Sequence, residues 1–171
     1  DVAGGRTTGA NYLRESEAAA ALRYVRHTES QNTLTLVQRS AAVEVTSVFT
    51  RYPDTNAIRV VQTFTNCAAQ ELCLTAANTV SLRFGTDAVK EQRDWYLHKF
   101  TNARYTEAMP DVRSLFDMGM YGRYSVLHTE NVGNASSYEN LPQGIVQNRR
   151  TGEFLMFQIE SYYDWFYEIS I

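Results

Sequence analysis

Hydrophobic and polar positions alternate with a period of two through most of the chain, and helical spacing is scarce. The runs Thr33–Gln38, Val43–Phe49 and Ile58–Thr65 each carry that alternation. Between them stand Arg39-Ser40-Ala41 and Tyr52-Pro53-Asp54-Thr55-Asn56, where proline and Asx residues favour turns. These runs predict three antiparallel strands of a meander. Leu22-Arg23-Tyr24-Val25-Arg26-His27 reads as a strand before them, after at most one helical turn over 16–22. Residues 1–16 lack a sustained period and read as an irregular arm.

Further on, Leu72–Phe84 predicts another strand or bent pair, broken near Asn78. Beyond Gly85 the period fades into a longer segment, Trp95–Glu107. Pro110-Asp111-Val112-Arg113-Ser114-Leu115-Phe116 then reads as a short helical turn, since proline suits a first helical position. Tyr124–Glu130 is a strand, followed by a polar loop over 131–137. The clearest local signal is a closing hairpin: Gly144–Asn148, the loop Arg149-Arg150-Thr151-Gly152, and an aromatic-rich run from Glu153 to Ile169. Apolar residues crowd both parities of that last run, which predicts a core strand covered on both faces. Around nine strands and little helix make the fold class all-β, an antiparallel β-sandwich in one domain over 1–171.

Length and charge limit the function. At 171 residues the chain cannot hold such a sandwich and a (β/α)8 barrel together, because the barrel alone takes about 250 residues. A formal charge of -3, from 16 basic and 19 acidic residues, leaves no footprint for nucleic acid. No stretch approaches the roughly 20 apolar residues of a membrane-spanning helix. The opening Asp1-Val2-Ala3-Gly4-Gly5 shows no signal peptide and reads as the start of an excised piece. Cys67 and Cys73 flank what reads as a hairpin tip, and spacing leaves open whether they pair or stay free. Asn134-Ala135-Ser136 is a single glycosylation sequon, which by itself leaves the compartment open.

Candidate chemistry is sparse. His27, His98 and His128 stand far apart, none in a pair at metal-ligand spacing, and HExxH, CxxC and Asp-rich calcium loops are absent, so no metal or other cofactor is expected. Nucleophile elbow, P-loop and GxGxxG motifs are absent too. Glu107, Asp111, Asp117, Glu130, Glu160 and Asp164 supply carboxylates, but glycosidic chemistry needs two held about 5–10 Å apart. The aromatic residues are more suggestive. Trp95, Tyr96 and Tyr105 sit beside His98, Asn102, Arg104 and Glu107, a mixture able to stack on a sugar ring and hydrogen-bond its hydroxyls; the competing reading is that they pack under a long loop. Tyr163 and Trp165, in the aromatic stripe near Ile171, fit a core or an interface with a further domain.

The motif Leu141-Pro142-x-Gly144-Ile145-x-x-Asn148-x-x-Thr151-Gly152-Glu153, with Phe157-Gln158-Ile159-Glu160 and Trp165-x-x-Glu168-Ile169-Ser170, resembles the N-terminal β-sandwich domain of bacterial and fungal α-galactosidases of glycoside hydrolase family thirty-six. Leu22-Arg23-Tyr24-Val25-x-His27, Leu34-x-Leu36-Val37-Gln38, Val45-Thr46-Ser47, Arg59-Val60-Val61, Trp95-x-Leu97-His98 and Asn102-Ala103-x-x-x-x-Glu107 agree in order, so the resemblance spans about residues 8–171. It implies a β-supersandwich similar to galactose mutarotase, set before a (β/α)8 barrel that bears both catalytic aspartates. Neither aspartate transfers here, so the chain is expected to be non-catalytic, with the barrel as its partner. Galactosides and a homo-oligomer are further candidate partners; nucleic acid and membrane are not. Thr7–Arg14 stands where one tetrameric subgroup carries a Gly-Asp-Phe-Arg segment and departs from it, so that subgroup's tetramer is not carried over.

The resemblance makes Trp95, His98, Asn102, Arg104 and Glu107, with Tyr163 and Trp165, candidates for a substrate wall or domain interface; no catalytic or metal residue is assigned. The competing functions are a stand-alone galactoside-binding module and, less well supported, a mutarotase-type enzyme using His98 or His128 with Glu107 or Glu160.

Overall fold

A computed structural model of the chain describes residues 20–74, 77–82, 93–103, 105–120, 126–133, 139–161 and 163–170. The expected arm over 1–16, the helical turn up to residue 19, and the sequon at 134–136 lie outside them. The fold is all-β and antiparallel, with ten strands among the described residues. It divides into two compact units, one ending at Arg83 and one beginning at Phe84.

The first unit is a four-stranded meander of β1 (Arg23–Ser30), β2 (Thr33–Arg39), β3 (Val43–Arg51) and β4 (Ile58–Asn66), in the order β1-β2-β3-β4. Its strands are those the period-two runs predict. Register places Leu36, Ser47 and Gln62 in one row and Gln38, Val45 and Phe64 in the next, so they share a face. Val45 and Ser47 are buried there, and Ser47 Oγ accepts a 3.2 Å hydrogen bond from Gln62 Nε2. Ser40 makes the turn between β2 and β3: its Oγ accepts from the amides of Ala42 and Val43. The described residues of the expected strand over 72–84 are not in a strand, and Cys67 and Cys73 are free thiols.

The second unit contains β5 (Trp95–Ala103), β6 (Thr106–Ser114), β7 (Val126–Asn131), β8 (Asn140–Asn148), β9 (Phe154–Gln158) and β10 (Trp165–Ser170). One sheet runs β6-β5-β8-β9 and a second pairs β10 with β7. The inward parity of both sheets fills a single core: Trp95, Leu97 and Val146 from the first, Trp165, Tyr167 and Ile169 from the second. Leu115 and Met120, in the turn after β6, complete it. This is the sandwich arrangement expected when two amphipathic sheets bury their apolar faces together. Leu97 is fully buried, and truncating such a residue to alanine costs about 2–5 kcal/mol.

Two expectations are corrected here. Pro110 lies within β6, paired with Phe100 of β5, where a helical turn was expected. Strand β6 is at the sheet's edge, the position where a missing N–H is tolerated. The hairpin β8–β9 forms as expected, but β9 is the opposite edge strand, with Phe154, Leu155 and Met156 at 69%, 36% and 58% exposure. The aromatic-rich run is not one covered strand. It leaves strand geometry after Gln158 and returns as β10 in the other sheet.

Candidate functional site

The candidate residues separate into three environments. Trp95 and Trp165 are core residues, 8% and 5% exposed, on the inward faces of β5 and β10. Trp165 stacks parallel to Tyr167, with ring centroids 6.1 Å apart. Neither indole offers a surface platform. Asn102, Glu107 and Tyr105 belong to the β5–β6 hairpin. Asn102 Oδ1 accepts from the Ala108 amide at 2.7 Å, and the Asn102 amide donates to the Glu139 carbonyl at 2.8 Å. Tyr105 and Ala108 both hold positive φ, of 74° and 52°. Asn102 therefore braces a tight, unusual turn, and Glu107 stands exposed on it. Arg104 lies outside the described residues. Tyr163 is 66% exposed in the link between β9 and β10, where its amide donates to Ser161 Oγ.

His98 is placed differently. Its parity on β5 is opposite to that of Leu97, so it points out from the sheet's other face. Nε2 of His98 lies 3.0 Å from Gln147 Oε1 on β8. Register extends this row across the whole sheet as Val112, His98, Ile145 and Met156. The adjacent row is Ser114, Tyr96, Gln147 and Phe154. The outward face thus mixes apolar and aromatic residues with Ser114, His98 and Gln147; Phe154 and Met156, on edge strand β9, are exposed, whereas Tyr96, His98, Ile145 and Gln147 on the two central strands are half-buried. The Arg149 guanidinium lies over the Tyr96 ring at 3.7 Å, closing one end.

The loop that carries Arg149 is rigidly built. Asn148 is 2% exposed, and its Oδ1 accepts from the amides of Arg150 and Thr151. The Gly152 amide donates to the Asn148 carbonyl, with Gly152 at φ 81°. Arg150 Nε donates to Asp94 Oδ2 at 2.8 Å, tying the loop to the start of β5. Asn148 and Gly152 are therefore structural; their motif spacing is that of a capped hairpin.

Charged chemistry in this unit is concentrated elsewhere. On the core side, Asp111 takes a two-pronged hydrogen bond from Arg113 and lies 3.8 Å from Lys99. The Arg113 hydrogen bond, helped by the positive charges of Arg113 and Lys99, holds its carboxyl below the ordinary range against an opposing effect of burial. Tyr167 presents a buried hydroxyl that makes no well-formed hydrogen bond; burial raises it above the usual phenol range, opposed by Thr129 and reinforced by the negative charge of Asp111. His128, on β7, lies between Glu130 and Glu168. His98 meets Gln147, and His128 meets Glu130 and Glu168. Among the described residues no group of three or more His, Cys, Asp or Glu side chains is placed to hold a metal ion. Among them, too, no helix is long and apolar enough to cross a membrane.

No family model matches the sequence, and no curated protein matches it. The fold defines the class: an antiparallel, sandwich-like all-β chain, in which strand β9 leaves Phe154 and Met156 exposed.

Proposed function

We propose that this chain is a non-catalytic β-domain of an α-galactosidase-like retaining glycoside hydrolase, acting by packing on the catalytic (β/α)8 barrel and narrowing its sugar-binding mouth. The motif resemblance supplies the identity of the partner. The observation that carries the docking role is the outward face of the four-stranded sheet. Phe154 at 69% and Met156 at 58% exposure lie in rows with Tyr96, His98, Ile145 and Val112. Contiguous apolar surface of this kind marks a face that another surface covers. His98 and Gln147 on the central strands, with Arg149 at one end of the face, give such a contact hydrogen-bonding groups. The parent enzyme is an α-galactosidase or an α-N-acetylgalactosaminidase. Burial of both tryptophans withdraws their rings from any sugar-stacking surface, which favours the docking role over a stand-alone galactoside-binding module.

The test is calorimetric titration of the chain with galactose, melibiose and raffinose, with galactose release assayed in the same samples. The chain is then mixed with a separately produced catalytic barrel of a family thirty-six α-galactosidase. Absence of heat and turnover from the chain alone, with binding to the barrel, is the expected result. Saturable heat with sugar alone overturns this reading in favour of a lectin-like module; turnover overturns the non-catalytic role.

A further inference from the structure

Among the described residues the sheet β6-β5-β8-β9 ends in two unlike edges. Strand β6 is guarded: it carries Pro110, the charged Glu107, Asp111 and Arg113, and a positive φ at Ala108, all of which keep a further strand from adding to an edge. Strand β9 has none of these. From Phe154 to Ile159 the chain reads Phe-Leu-Met-Phe-Gln-Ile, without charge, proline or glycine, and Phe154, Leu155 and Met156 are all exposed.

The ladder with β8 fixes which backbone groups β9 turns to its edge. The Asn148 amide donates to the Glu153 carbonyl and the Ile159 amide to the Pro142 carbonyl, both in the register of the β8–β9 pairing. Backbone direction alternates along a strand, so Glu153, Leu155, Phe157 and Ile159 turn N–H and C=O to β8, while Phe154, Met156 and Gln158 turn theirs to the edge. Those three residues are the ones an added strand would hydrogen-bond. The edge is also complementary to itself. Antiparallel pairing of two copies about Leu155 sets Phe154 of each opposite Met156 of the other, in hydrogen-bonded pairs, and Leu155 opposite Leu155. The sulfur–aromatic contact is then made twice. Continued past the strand ends, this register brings Arg150 of each copy towards Glu160 of the other, so opposite charges meet at both ends. Neighbouring registers lose the match: centring on Met156 puts Phe154 against Gln158, and centring on Phe157 puts it against Glu160.

We propose that β9 is a self-association edge, which pairs antiparallel with β9 of a second copy of this chain about Leu155 and joins two four-stranded sheets into one of eight strands. Main-chain hydrogen bonds supply the affinity, and the Phe154–Met156 and Arg150–Glu160 oppositions set the register. The contact lies in the plane of the sheet and needs no catalytic barrel. A five-residue strand pair is a small interface, and a dissociation constant of about 10–100 µM is expected.

The experiment is analytical ultracentrifugation of the full chain and of Met156→Pro from about 5 to 500 µM, a range that brackets the expected constant. Proline at 156 removes an N–H that points to the edge and leaves the hydrogen bonds to β8 in place. The parent's average mass is expected to rise towards twice that of the chain, and the variant's to stay at one chain throughout. Tryptophan emission from Trp95 and Trp165, both in the core of the second unit, checks that the variant is folded. A parent that stays monomeric across the range, or a folded variant that dimerises like the parent, overturns the proposal. If Met156→Pro does not fold, Leu155→Cys decides, in a chain that also carries Cys67→Ser and Cys73→Ser. The two new thiols face each other across a non-hydrogen-bonded pair, close enough to join, and diamide oxidises them to a disulfide. A covalent dimer supports the register, and its absence overturns it.

Discussion

The ring of Phe157 lies directly on Gly144, its cross-strand partner in β8 and β9: a β-carbon built at Gly144 would sit 2.7 Å from Phe157 Cζ and 3.2 Å from the carbonyl oxygen of His98. The same ring meets Tyr167 edge-on at 4.9 Å, so it cannot simply swing away. The glycine makes room for an aromatic that joins the two sheets. Gly144→Ala is expected to destabilise the second unit by about 1–3 kcal/mol through overpacking. Denaturant unfolding followed by tryptophan emission measures it. Combining it with Phe157→Leu should recover part of the loss, as close neighbours couple.

The Asp111–Arg113–Lys99 group sets a different pH response. A carboxyl held below its ordinary range when folded stabilises the protein above its unfolded value, and that contribution disappears as the pH falls through the folded one. Stability of the second unit should therefore decline below about pH 4, and Asp111→Asn should flatten the decline. The contribution is about 1 kcal/mol or less, since the Asp111 side chain is 28% exposed and solvent screens the pair. Acid titration of the two proteins by circular dichroism tests this; an identical acid limb in both would count against it.

Gly152 needs its backbone freedom and nothing else. It holds φ 81°, and a β-carbon there would meet no atom within 4 Å. Gly152→Ala should cost about 1 kcal/mol from conformation alone, and Gly152→Asn less, because asparagine tolerates the left-handed region. Paired urea melts of the two variants supply the comparison. Asn148→Ala, which strips the acceptor from two loop amides in a buried position, should cost more, about 1–3 kcal/mol.

The proposed docking role makes a prediction that separates stability from binding. Phe154 and Met156 are exposed, so Phe154→Lys and Met156→Lys should change the unfolding free energy by no more than about 0.5 kcal/mol. Both should abolish association with the catalytic barrel. Isothermal titration of each variant against the barrel, beside its urea melt, is the measurement. Undiminished affinity would place the contact on another surface.

The sequence by itself determined the elements with strict alternation or strong turn chemistry. Strands β2, β3 and β4 follow from period-two runs, and the β8–β9 hairpin follows from a glycine-containing loop capped by Asn148. Each rests on interactions between residues close in the chain. Tertiary structure alone decided the rest. Strand β6 was hidden because Pro110 and a polar composition resemble a loop until an edge position excuses them. The apolar run after Gly152 carries no information about where it changes sheets, and only the pairing β8–β9 and β7–β10 splits it into an exposed edge and a buried strand. The candidate site divided for the same reason. Composition places Trp95 and His98 in one sugar-binding mixture and leaves Trp165 as core or interface, yet strand parity turns both indoles into the core and His98 outward. His128 and Glu168, forty residues apart, meet only because β7 and β10 pair, and non-local pairing is what a one-dimensional pattern leaves undetermined.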